Sequence, residues 1–159
     1  MRTKTIIETI RSSLYEMNRV EAIQVAYSSP EYILEEIFQD LPMSAPQLHT
    51  LCIGSCLPCF SGKAFPIGED FLYDTQHLRH VELINCNISW DSRLLTGLTR
   101  LTLKDSLKAN SSIIQFLRAL QKMPALTDLC VEDLIPDNSE SPSTYPDVDL
   151  PCLRVLCLS

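Results

Sequence analysis

Three of the chain's seven cysteines fall within CIGSCLPC, at Cys52, Cys56 and Cys59, and two of its three histidines follow at His77 and His80. Together, Cys56, Cys59, His77 and His80 spell C-x2-C-x17-H-x2-H, a set of donor types that zinc accepts. A structural zinc needs four convergent donors, and finger-type histidines stand three to five residues apart so that one helix presents both. Here only two residues separate the histidines, and the side chains are expected to diverge. The Cys56-Leu57-Pro58-Cys59 pair also lacks the strand-to-helix junction that activates a redox thiol, since it leads into a loop containing Gly62 and Pro66. Small buried hydrophobes are the plainer role for these thiols. The adjacent acids Glu35-Glu36, Glu69-Asp70 and Glu132-Asp133 read as solvated faces. The chain has no phosphate-binding glycine loop, no G-x-S-x-G and no H-E-x-x-H. A non-catalytic protein with no metal and no cofactor is the expectation.

The elements that carry these residues come from a repeat. The pattern apolar-x-x-apolar-x-apolar starts at Val20, Leu48, Leu78, Leu98, Leu126 and Leu153, at intervals of 28, 30, 20, 28 and 27 residues. The copy Leu78-Arg-His-Val81-Glu-Leu83-Ile-Asn-Cys86-Asn-Ile88 matches L-x-x-L-x-L-x-x-N/C-x-L at every specified position. Cys56 takes the Asn/Cys position of the preceding copy, whereas Ser106 and Leu134 take it in later ones. In each copy a short strand turns its apolar residues inward and the residues between them outward. The expected fold is therefore an α/β leucine-rich-repeat solenoid over residues 1–159. It has a curved parallel sheet of about six short strands, with helices and loops on the outer face and irregular repeats of 20–30 residues.

The returning segments supply the helices. Ser111-Ser112 can cap a helix with Ile113, Ile114, Leu117 and Leu120 on one face, ending before Pro124. Ser29-Pro30 opens a second, with Ile33, Leu34, Ile37, Phe38 and Leu41 inward, and Ile6, Ile7, Ile10 and Leu14 mark a third. SWDSRLLTG leaves room for one turn only, Glu69–Tyr73 suggests another, and residues 136–151, PDNSESPSTYPDVDLP, read as a flexible loop. Trp90 is expected to pack at the turn after its strand.

Outward strand residues define the expected binding surface. Gln24, Cys52, Glu82, Thr102, Cys130 and Cys157 form one row; Ala26, Gly54, Ile84, Lys104 and Glu132 form the next. The mixed character of this face suits a protein or peptide. A formal charge of -7 without a basic cluster excludes nucleic acid as a main partner. No apolar run of about 18 residues suggests a membrane span. An odd cysteine count and the absence of a secretory signal point to reduced thiols, hence to the cytoplasm or nucleus, where the sequons at Asn87 and Asn110 have no meaning.

The segments DLPMSAPQLHTLCI (40–53), HLRHVELINCNISWDSRLLTGLTRLTL (77–103), FLRALQKMPALTDLCVED (116–133) and STYPDVDLPCLRVLCLS (143–159) carry a further reading. Through them the chain resembles the leucine-rich-repeat region of F-box-like proteins of mushroom-forming fungi. That resemblance implies recruitment of a protein substrate by the repeats. It also implies docking of a Skp-type ubiquitin-ligase adaptor by an F-box, a module that the chain itself lacks. The expectation is a piece of a longer protein, with a stand-alone scaffold as the alternative and a zinc module through Cys56, Cys59, His77 and His80 as the second.

Overall fold

The structure, a computed structural model, describes Ser12 and residues 16–27, 44–55, 64–68, 71–105, 112–132 and 145–159. Among the described residues, eight strands follow one another: β1 (Ala22–Tyr27), β2 (Thr50–Ser55), β3 (Phe65–Ile67), β4 (His80–Ile84), β5 (Cys86–Ile88), β6 (Arg100–Lys104), β7 (Asp128–Glu132) and β8 (Val155–Leu158). Helix α1 (Ile113–Gln121) lies between β6 and β7, and single 3-10 turns occupy Met17–Arg19 and Arg93–Leu95. Six strands make one sheet in the order β1-β2-β4-β6-β7-β8, with every pair parallel. This is the expected α/β solenoid, and each of the six repeat copies contributes one of its strands.

Register follows from the repeat. Leu51, Val81, Leu101, Leu129 and Leu156 stand opposite one another across successive strands, as do Val25, Ile53, Leu83, Leu103, Val131 and Leu158. Backbone bonds outside the strands repeat as well. The carbonyls of Glu21, His49, Arg79, Thr99 and Thr127 each accept from two successive amides of the next copy, at 2.7–3.2 Å. These shared bonds fix the entry to each strand before its side chains pack. A slip by one residue would turn every leucine to the solvent.

The core lies on the inner face and is densest at its centre. Leu51, Val81, Leu83, Leu101 and Leu103 are all fully buried, whereas at the last strand Leu156 is 54% and Leu158 65% exposed. The Asn/Cys position behaves as a closing peg at Cys86, which is fully buried and donates its thiol to the Ile53 and Ile84 carbonyls at 3.6 and 3.5 Å. Just before it Asn85 has a φ of 56°, and Asp105 repeats that left-handed turn after β6 with a φ of 50°. Asn and Asp tolerate this region better than other residues with a Cβ, which suits them to end a strand sharply.

Several outer-face expectations are sharpened or corrected. Ser112 caps α1 by accepting from the Gln115 amide at 3.4 Å, and the helix ends before Pro124 as its sequence requires. Its buried stripe, however, is Phe116, Ala119 and Leu120, flanked by Ile113 and Leu117; Ile114 lies off the face that packs on the core. The rotation lets Phe116 meet Trp90, with ring centroids 5.0 Å apart and planes tilted by 57°. Trp90 is buried, as a residue packed at its turn should be.

Of the turn expected over Glu69–Tyr73, Glu69 and Asp70 lie outside the described residues, and Phe71–Tyr73 is a bend entering a parallel bridge to Ser44. Within the expected loop after Cys59, Phe65-Pro66-Ile67 forms β3 and pairs in parallel with β5, burying Phe65 and Ile67. Proline is admissible in such a two-stranded edge because one side of the strand needs no donor. At the end of the Pro/Ser/Asp-rich segment, Val148 and Leu150 pack half-buried on the core, and Gln121 donates to the Asp147 carbonyl at 2.7 Å. The helices expected over Ile6–Leu14, apart from helical Ser12, and over 29–41 lie outside the described residues. So do Cys56, Cys59, Ser106, Leu134 and residues 136–144.

Candidate functional site

The two outward rows expected from the repeat are register ladders of the sheet. Gln24, Cys52, Glu82, Thr102, Cys130 and Cys157 are aligned across all six strands, and Ala26, Gly54, Ile84, Lys104 and Glu132 across five. A third row joins them where the strands begin: Ala22, Thr50, His80, Arg100, Asp128 and Val155.

Across β1, β2 and β4 the open face dips into a cavity of about 350 Å³ lined by Gln24, Ala26, Cys52, Gly54, Glu82 and Ile84, among others. Gly54 makes the dip. A Cβ built there would stand 2.9 Å from the Ile84 Cβ, so the close approach of the two strands requires a residue without a side chain. Toward β6 and β7 the surface turns ionic. Lys104 pairs with Glu132 at 2.8 Å and Arg100 with Asp128 at 3.6 Å, each pair directly opposed in register. The hydrogen bond to Glu132 raises the Lys104 pKa. The Cys130 thiol is pushed up by burial first and then by Cys157 and Glu132. The face is thus part apolar hollow and part paired charge.

Of the four-residue zinc set, Cys56 and Cys59 lie outside the described residues. His77 is exposed in the turn before β4, with its Nδ1 2.6 Å from the Pro46 carbonyl and its ring 5.9 Å from that of His49. His80 stands within β4. Among the described residues, one group of His, Cys and acidic side chains has its donor atoms close together: Cys52, His80 and Glu82, all within 4.8 Å of one another and all half-buried. Burial, then the nearby Glu82 carboxylate and a hydrogen bond to it, raise the Cys52 pKa. Burial and the Arg100 charge lower the His80 pKa, against the opposing pull of Glu82 and Asp128.

These shifts predict a pH dependence. The fold favours neutral His80, so the unfolded chain takes up this proton more readily. The associated stability is present above the ordinary value of 6.5 and is lost as pH falls through the lower folded value. Cys52 acts at the other end: its contribution is present below the ordinary 9.0 and is lost as pH rises through the raised folded value. Urea unfolding in chelator-containing buffer should therefore weaken between about pH 7 and pH 5 in the parent. The His80→Gln variant should show a shallower decline, and identical slopes would mean that His80 carries none of it.

Comparison with protein-family models, with characterised proteins and with solved structures finds no match to this chain. No helix among the described residues is long and apolar enough to cross a membrane.

Proposed function

We propose that the chain is a non-catalytic protein-interaction module that binds a protein or peptide on the open face of its sheet. The observation that carries this reading is the three-row surface itself. A rigid parallel sheet presents aligned side chains from six strands, with an apolar hollow at one end and paired charges at the other. Hollows of this kind accept an apolar anchor, and the surrounding polar groups select for orientation. With Glu82, Asp128 and Glu132 set among Arg100 and Lys104, the face has no single-sign field to attract phosphate backbones.

The resemblance to F-box-like repeat regions narrows the proposal to substrate recognition for a ubiquitin ligase of the Skp type, in the cytoplasm or nucleus. The stand-alone scaffold is the competing form of the same reading. The test has two parts. In the first, proteins captured by the parent chain are compared with those captured by a Glu82→Arg, Thr102→Arg variant of unchanged circular dichroism. A specific partner should bind the variant at least about tenfold more weakly, as expected when central contacts worth about 1.4 kcal/mol or more are lost. Equal capture would place binding elsewhere. In the second, a gene product that carries an F-box together with these repeats should co-purify with a Skp-type adaptor. A product without that association would favour the scaffold.

A further inference from the structure

We infer that Cys52, His80 and Glu82 form a zinc-binding site on the open face of the sheet. Their convergence comes from register and not from sequence spacing. Cys52 on β2 stands directly opposite Glu82 on β4, and His80 precedes Glu82 by two residues on the same face of that strand. Neighbouring strands are about 4.8 Å apart, so these three positions form a compact triangle of side chains from two rigid strands. Their donor atoms already lie within 4.8 Å of one another. Zinc bonds of 2.0–2.3 Å in a tetrahedron place donors roughly 3.3–3.8 Å apart. Rotation about side-chain torsions closes the remaining gap without moving the backbone.

Chemistry selects the ion. One thiolate, one imidazole and one carboxylate make a mixed sulfur, nitrogen and oxygen set, which suits zinc and disfavours the hard, all-oxygen preference of magnesium or calcium. On binding, the Cys52 thiol releases its proton to solvent as the zinc–sulfur bond forms, while a neutral His80 donates its lone pair directly. The fourth tetrahedral position is left to water, as in other three-ligand zinc sites. One local feature opposes the ion: Arg100 stands opposite His80 across the β4–β6 pair. Its charge is partly answered by Asp128 at 3.6 Å, on the strand beyond.

The site shares Cys52 and Glu82 with the lining of the hollow, but its test requires only this chain and the ion, so its failure would leave the partner-binding proposal standing. The decisive experiment titrates the reduced 159-residue chain with Co2+ and then displaces it with Zn2+. The expected result is one ion per chain and a thiolate-to-cobalt charge-transfer band. The Cys52→Ala, His80→Gln and Glu82→Gln variants should each bind at least about 100-fold more weakly, since even outer-shell changes cost 10–100-fold. The Cys56→Ala, Cys59→Ala double variant should bind as the parent does, and so should Cys130→Ala, Cys157→Ala. Glu82→Gln preserves shape and charges no core residue, so it remains informative if a larger change impairs folding. Absence of stoichiometric binding by the parent would overturn the site. So would parent-like binding by the Cys52 and Glu82 variants, or loss of binding in the Cys56, Cys59 variant.

Discussion

Leu101→Ala is expected to lower the unfolding free energy by about 3 kcal/mol, and Leu156→Ala by less than about 0.5 kcal/mol, although the two leucines hold the same place in the repeat. Leu101 is fully buried, with Val81 on one side of it in register and Leu129 on the other. Removing its side chain forfeits the transfer free energy and leaves a cavity between two strands already fixed by the bonds to Arg79 and Thr99 carbonyls, which limits collapse. Leu156 has Leu129 on one side only and remains 54% exposed, so little transfer energy is at stake and no enclosed cavity can form. At the usual sensitivity for a chain of this size, the first change should lower Tm by about 6–12 °C and the second by no more than about 2 °C. Paired urea titrations followed by circular dichroism test both. Equal losses would contradict a core that is densest at the middle of the stack.

That contrast also marks what could be read from the sequence. The strands, their parallel order and the two outward rows were legible because a six-residue pattern carries both a period of two and a fixed start. Six copies then dictate register without further information. Lateral neighbours were harder to see. Cys52 and His80 are 28 residues apart, and the local C-x2-C and H-x2-H spacings draw attention away from them. Both are outward strand residues, and stacking the second copy on the third would have placed Cys52 beside Glu82 and diagonal to His80. The signal was present, but only in the aligned repeats.

Other features were not legible for physical reasons that differ. Strand β3 consists of three residues with a central proline, Phe65-Pro66-Ile67, and pairs with the Cys86-Asn87-Ile88 segment. A composition that ordinarily marks a loop becomes a strand because the buried Phe65 and Ile67 complete the core beside the third copy. For α1, periodicity located the helix but not its rotation. Ile113, Ile114, Leu117 and Leu120 make an acceptable stripe in isolation; the aromatic pair with Trp90 turns Phe116 inward instead.

Trp90→Ala is expected to cost about 3–5 kcal/mol, the largest single loss among these changes. Trp90 is the chain's one tryptophan, is 7% exposed, and lies on the connection between β5 and β6, while Phe116 lies on the helix between β6 and β7. Their contact therefore ties one outer-face segment to the next, beside the Lys122–Asp91 ion pair that joins the same two segments at 3.0 Å. The tilted geometry, at 5.0 Å and 57°, is the favourable arrangement for two ring quadrupoles and adds roughly 0.5–1.5 kcal/mol beyond area burial. A double-mutant cycle separates the two contributions. Trp90→Leu and Phe116→Leu, each retaining an apolar side chain, should show a coupling of about 1 kcal/mol, and the full truncation should exceed either alone. Circular dichroism is the common probe for all variants; in the parent, the emission of Trp90 should shift to the red in the same transition. Independent losses in the cycle would mean that the outer layer is held by its separate contacts with the strands. A measured coupling would instead make the Trp90–Phe116 pair an apolar cross-link, beside the Lys122–Asp91 ion pair, through which the layer stabilises the sheet and so the alignment of its three rows.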